Sequence, residues 1–308
     1  MASTLVTGGA GFIGSHLVDA LVRKGHSVRV LDDLSTGTLE NLADVKQRIE
    51  FVQGSVTDAA VVNRLAGGCS AIFHLAAVVS VPKSMEDPIG THKVNADGVL
   101  NVVEAARRAR AKLVYSSSAA VYGDAANPPM KESDPKEPVS IYGAQKLYGE
   151  HAVLCAARTD GLRCAILRYF NVYGPRQDPS SPYSGVIAVF MVRAAASEPL
   201  VIHGDGKQIR DFVHVSDVVQ ANMLALDSSL EDGQPVNIGT GSGTNLMQLS
   251  QMVMRACGKI VPIKHETERP GDVRRSYCDP TLARQRLGFR ASMPLVLGLK
   301  ELYDSGGY

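Results

Sequence analysis

The sequence predicts an α/β protein: a doubly wound parallel sheet covered by helices, with a smaller lobe interleaved toward the C-terminal end. Three observations carry this. Through the first half, short β-branched runs alternate with helix-length amphipathic segments, the pattern of a parallel sheet buried on both faces. A glycine cluster sits at the first strand-to-helix junction. After about Asn171 the rhythm breaks at Pro175, Pro179 and Pro182 and among several serines.

Ser3–Thr7 reads as the first strand. Phe12–Lys24 follows as a helix, because Ile13, Leu17 and Leu21 recur every four residues on one face and Gly25 stands where a left-handed C-cap belongs. Ser27–Leu31 is the second strand. Later strands are predicted at Ile49–Gln53, Ala71–Ala76, Leu113–Ser117 and Cys164–Tyr169, with helices near Asp58–Leu65, Thr91–Ala109 and Tyr142–Thr159 between them. Because a strand-then-helix pattern resumes at Asp211–Leu226, the first lobe is expected to hold residues 1–170 and again 211–236. The second lobe then takes 171–210 and 237–308.

The composition is that of a globular chain: 308 residues, 45% apolar and 20% charged, with 32 Lys and Arg against 31 Asp and Glu. A net charge of +1, with basic runs no longer than Arg107-Arg108 and Arg274-Arg275, argues against nucleic-acid and membrane partners. The five cysteines lie far apart and the eight histidines form no ligand pattern, so no metal is expected. His74 and His214 read as core groups. The start lacks the basic and apolar regions of a secretion signal, and no segment reaches a membrane-spanning length of about 18 apolar residues. A cytoplasmic protein is expected.

Thr7-Gly8-Gly9-Ala10-Gly11-Phe12-Ile13-Gly14 joins the first strand to the first helix. In that setting Gly8 permits the tight turn, Gly11 lets the backbone approach a pyrophosphate, and Gly14 allows close helix–sheet packing. The helix N-terminus, at Phe12 and Ile13, adds amides and a positive dipole. Asp32 ends the second strand eighteen residues after Gly14, where a carboxylate can accept from an adenosine ribose. With Asp33 beside it and no nearby arginine, this favours NAD over NADP.

Tyr142 and Lys146, four apart, share one face of a helix. A phenol is a poor base near pH 7 unless nearby positive charge favours the phenolate, and Lys146 offers that charge. Ser116-Ser117-Ser118 ends a sheet strand at its carboxyl end, where doubly wound folds bind ligands.

Together these features resemble the extended short-chain dehydrogenase/reductase family, with its Rossmann-type first lobe, over almost the whole chain. The resemblance is closest to the nucleotide-sugar 4-epimerases through Ser116-Ser117-Ser118-Ala119-Ala120-Val121-Tyr122-Gly123, Arg168-Tyr169-Phe170-Asn171-Val172-Tyr173-Gly174 and Arg210-Asp211-Phe212-Val213-His214-Val215. It implies that Tyr142 takes the proton from the sugar 4-OH, that Ser118 (or failing it Ser117) bonds the same oxygen, and that Lys146 holds the ribose and tunes Tyr142. Oxidation at C4 by a tightly bound NAD is followed by return of the hydride to the opposite face of the ketone.

The resemblance further implies cofactor contacts from Ser55, Val56, Leu75, Ala76, Ala77, Asn95, Ser116 and Tyr169. The nucleotide diphosphate, usually of uridine, would lie against Asn171, Arg210 and Arg269, and the sugar near Ser80 and Val81. In Arg269-Pro270-Gly271-Asp272-Val273-Arg274-Arg275-Ser276-Tyr277, Ser276 falls where epimerases restricted to plain hexoses carry tyrosine. The small serine points to UDP-GlcNAc and UDP-GalNAc; a register slipped by one would put Tyr277 there and point the other way. The family's usual adenine-contacting aspartate is Ser55 here, with Asp58 nearby.

Ala119 and Ala120 stand where related dehydratases and decarboxylases recruit acids, which argues against those reactions. The alternatives are an NAD(P)-dependent nucleotide-sugar reductase or a decarboxylase and, from another class, a cofactor-sensing binding protein. Family members often form homodimers through the helix bearing Tyr142 and the one before it. The apolar residues of Val99–Val103 and Ala152–Ala157 suit either that interface or the chain's own core.

Overall fold

A computed structural model describes residues 3–124, 127–178, 185–268 and 273–306. The chain runs through β1 (Ser3–Thr7), α1 (Phe12–Arg23), β2 (Ser27–Asp32), β3 (Ile49–Gln53), α2 (Ala59–Ala66), β4 (Ala71–His74), α3 (Val81–Glu86), α4 (Pro88–His92), α5 (Gly98–Ala109), β5 (Lys112–Ser118), α6 (Ile141–Asp160) and β6 (Cys164–Tyr169). It continues with β7 (Asn171–Tyr173), α7 (Val186–Ala195), β8 (Leu200–His203), β9 (Ile209–His214), α8 (Val215–Asp227), β10 (Asp232–Ile238), β11 (Gly243–Asn245), α9 (Leu246–Cys257), β12 (Ile263–Glu266), β13 (Arg275–Ser276), α10 (Thr281–Leu287) and α11 (Leu295–Asp304).

Seven strands form one parallel sheet in the order β10-β6-β5-β4-β1-β2-β3. Successive strand residues face opposite sides, and the sequence supplies apolar groups for both. Val6, Val30, Phe73, Val114 and Leu167 pack on one face with Leu17, Leu21, Val218 and Ala221. Leu5, Leu31, Ile72, Leu113 and Ile166 pack on the other with Val62, Val102, Ala106 and Val153. The strand order reverses between β1 and β4, so their carboxyl ends frame a crevice, the place where such sheets take ligands.

Two features were not read in the sequence. Leu39–Arg48 forms a 3-10 stretch, and α4 passes into α5 through a wide π-turn at Lys93–Asp97. The smaller lobe is built around β9, which pairs with β7, β11 and β13, while β8 and β12 pair separately. Its core joins Phe190, Phe212, Leu249 and Leu299. The strand expected to begin the return to the first lobe at residue 211 is therefore part of the small sheet. The return begins at α8, which packs on α1, and is completed by β10 beside β6; the strand pattern is the same in both sheets, so only pairing separates them.

Candidate active site

The glycine turn after β1 is built by close approach. Gly8 takes a φ of +71°, and a Cβ on it would lie 2.6 Å from the Ala76 nitrogen; a Cβ on Gly14 would overlap the Gly8 carbonyl oxygen and stand 2.8 Å from the Gly9 Cα. Side chains are thus excluded where β1, α1 and the end of β4 meet. Gly11 precedes α1 with no side-chain cap, and among the described residues the Phe12 and Ile13 amides find no acceptor. Those open donors at a helix N-terminus are the fit a pyrophosphate requires.

Asp32 is buried; its carboxylate accepts from the Ala10 amide at 2.9 Å and the Leu34 amide at 2.9 Å. Burial pushes its carboxyl upward and those amides pull it back. The Thr7 carbonyl accepts from the Leu75 amide, and Ala76 and Ala77 follow it in the chain. Ser55 folds its hydroxyl onto Thr57, and Asp58 caps α2 by accepting from Ala60 and Val61. Val56 packs against Gly98.

β5 delivers the serines and α6 the tyrosine and lysine. Lys146, buried, donates to the Ser116 carbonyl at 2.9 Å and lies 5.9 Å from the Tyr142 ring centroid. Burial lowers its pKa to about 8. Burial also raises the Tyr142 phenol to about 12, while the Ser118 hydroxyl beside it favours the phenolate. Hydroxyl, phenol and ammonium thus share one crevice at the carboxyl ends of the strands.

Not every predicted group turns toward that crevice. Ser117 donates to Glu150 Oε1 at 2.5 Å, where Glu150 is held bidentately by Arg168, and all three are buried. Its hydroxyl points into the layer between β5, β6 and α6, so it does not stand in for Ser118. Ser116 bonds the Tyr169 hydroxyl, which donates to Asn222 on α8. Asn95 uses its amide on the Val78 backbone and on Gln145, and so braces the turn that follows β4. His74 is held neutral by burial, its pKa lowered to about 3, and bonds Thr7. His214 caps α8.

On the substrate side Ser80 caps α3 with its hydroxyl and Val81 is partly exposed beside it. Asn171 lies exposed on β7, and Arg210 on β9 donates to the Ile209 carbonyl. Arg210 and Ser276 are register partners of β9 and β13, which puts their side chains on one face. Tyr277 packs instead against Gly243 and reaches the Pro128 carbonyl. Arg269 lies outside the described residues. Ser84, Gln145, Glu150 and Asn222 were missed by sequence reading: each acts through side-chain or amide partners 18 to 58 positions away, and no local pattern marks them.

Among the described residues no group of His, Cys, Asp and Glu could hold a metal ion, and no helix is long and apolar enough to cross a membrane. Val99, Val102, Val103, Val153 and Ala156 belong to the chain's own core. Leu100 and Tyr148 remain exposed on α5 and α6.

The family profile described as NAD dependent epimerase/dehydratase matches residues 4–239. A UDP-glucose 4-epimerase of Mycolicibacterium smegmatis is 41% identical, over 98% of this chain and 97% of its own. Among solved structures, a UDP-glucose 4-epimerase of Thermotoga maritima with UDP-glucose superposes with a TM-score of 0.94 at 39% identity, covering 98% of this chain and 97% of that one. A UDP-N-acetylglucosamine 4-epimerase of Methanobrevibacter ruminantium in complex with UDP-N-acetylmuramic acid gives 0.94 at 35% identity, with 98% and 97% covered.

Proposed function

The chain belongs to the NAD dependent epimerase/dehydratase family, and from that premise we propose that it interconverts the C4 epimers of a UDP-hexose, with UDP-GlcNAc and UDP-GalNAc as the favoured pair. The observation that carries the reaction is the convergence of Ser118, Tyr142 and Lys146 at the crevice beside an open glycine-turn helix N-terminus. The turn from Gly8 to Gly14, with Asp32 at the ribose, would hold NAD, which would supply the hydride acceptor and donor for sugar C4. Tyr142 takes the 4-OH proton and gives one back; Ser118 holds the same oxygen through both half-reactions. The Lys146 ammonium, kept close to the phenol, favours the phenolate that burial alone disfavours.

The preference for acetamido sugars rests on Ser276, small and on the same face as Arg210, and on Tyr277 being engaged on the other side. Plain UDP-glucose and UDP-galactose form the second reading, favoured by the names of the Mycolicibacterium and Thermotoga relatives. Incubating the purified protein with UDP-GlcNAc or UDP-glucose, without added cofactor, and resolving the products tests both. UDP-GalNAc formed faster than UDP-galactose is the expected result; product only when stoichiometric NADH or NADPH is supplied would indicate a reductase.

A homodimer is part of the same proposal, with Leu100 and Tyr148 as the exposed apolar groups on α5 and α6 that a partner would cover. Light scattering of the wild type against Leu100→Glu checks it: a mass twice that of the chain, halved by the charge, is expected.

A further inference from the structure

The main-chain N–H of Tyr142 is one of the first donors of α6, which no turn of its own helix can satisfy. Its acceptor comes from elsewhere. Ser84, fully buried on α3, accepts from Tyr142 N at 3.0 Å and donates to the Val81 carbonyl at 2.7 Å. Ser140, the local cap, takes the next amide, that of Gly143.

One helical turn on, Gln145 makes the second connection. It is buried between Tyr142 and Lys146, donates to Thr91 Oγ1 at 3.0 Å and accepts from Asn95 Nδ2 at 2.8 Å. Asn95 in turn grips both backbone groups of Val78 at 2.8 and 3.0 Å. The segment from Val78 to Asn95, which carries Ser80 and Val81, is therefore fastened to the helix carrying the phenol at two points, the Tyr142 amide itself and Gln145 three residues on.

We propose that Ser84 is a positioning residue for Tyr142, and that with Gln145 it latches the sugar-side turn to the catalytic helix so that both move as one body. The inference rests on the 4-epimerase reading. There, the sugar 4-oxygen must meet the same phenol in both half-reactions while opposite faces of the ketone are presented to the hydride, so a shift of the phenol relative to the turn is felt in both. Misplacement by a fraction of an ångström is enough to matter, since errors near 1 Å cost roughly 10²-fold in rate.

The test compares Ser84→Ala, Ser84→Thr and Gln145→Met in the NAD-bound full-length protein. Ser84→Ala is expected to lower kcat about tenfold, with KM for the UDP-sugar changed less than about twofold. It is also expected to accelerate amide hydrogen exchange over residues 140–146 and 80–86. Ser84→Thr, which keeps the hydroxyl, restores both. A lower melting temperature with unchanged kcat and unchanged exchange in those segments overturns the latch.

Should Ser84→Ala not fold, Gln145→Met carries the decision. Faster exchange over residues 91–95 with a lowered kcat supports the latch, and wild-type values overturn it. A wild-type protein that retains NAD but epimerises no UDP-hexose defeats the 4-epimerase reading instead, and the exchange measurements still decide whether Ser84 holds the Tyr142 amide.

Discussion

The glycine turn after β1 and the small sheet around β9 are built in opposite ways. From Gly8 to Gly14 every essential contact lies within seven residues or against the next strands of the same sheet, and glycine excludes alternatives because a Cβ would meet backbone. The second region, the platform, is assembled on β9 from β7, β11 and β13, which are remote in the chain, and its faces are set by pairing register. The turn tolerates almost nothing. The platform has side chains at its working positions, so it can change what it admits without losing its fold.

The largest expected effect lies where the two regions meet. Tyr142→Phe removes the proton-transfer group and should lower kcat by 10²–10⁴-fold, the usual worth of a positioned acid or base, with UDP-sugar affinity by calorimetry nearly unchanged. Near-normal turnover would remove Tyr142 from the reaction.

Inside the turn, Gly14→Ala should yield protein that purifies without NAD and is less stable by ~2–4 kcal/mol, within the range for forced backbone shifts. The cofactor content of the purified variant and its urea midpoint report this. If Gly14→Ala keeps its NAD, the turn is less rigid than the contacts imply.

On the platform the effect should be smaller and selective. Ser276→Tyr is expected to leave stability and plain-hexose turnover within about twofold, while kcat/KM for UDP-GlcNAc falls about 10–100-fold, the scale of steric discrimination. Equal turnover of acetamido substrates by wild type and variant would show that residue 276 does not bound the sugar.

The mildest prediction concerns stability against pH. His74 has a folded pKa near 3 against an ordinary 6.5, so between those values the unfolded chain binds a proton that the folded chain refuses. The stability is full above about pH 6.5 and is lost as pH falls toward 3, at up to about 1.4 kcal/mol per unit. His74→Gln should flatten that slope in urea titrations taken at several pH values; an unchanged slope would exclude His74 as its source.

Much of the first region was legible in the sequence. The three strands Ser3–Thr7, Ile49–Gln53 and Cys164–Tyr169 lie where the β-branched runs put them, and α1 ends one residue before its expected limit. Alternation and four-residue spacing are local rules, and a glycine turn between strand and helix is a local object. The same spacing put Tyr142 and Lys146 on one face of α6, and the strand-end position put Ser118 in the crevice.

What the sequence by itself determined is this set of local facts: a parallel sheet, a glycine turn between strand and helix, and a phenol and ammonium one helical turn apart. Tertiary structure alone decided the rest. Three adjacent serines look alike in sequence, yet Ser118 lies beside the phenol, Ser116 bonds Tyr169 and Ser117 is spent on Glu150. Whether Ser276 or Tyr277 shares the face of Arg210 depended on the pairing of β13 with β9. Ser84 reaches Tyr142 only because α3 packs its hydroxyl against an amide 58 positions away. Periodicity fixes the direction of a side chain relative to its own element, but which element lies in that direction is settled by packing between segments distant in the chain.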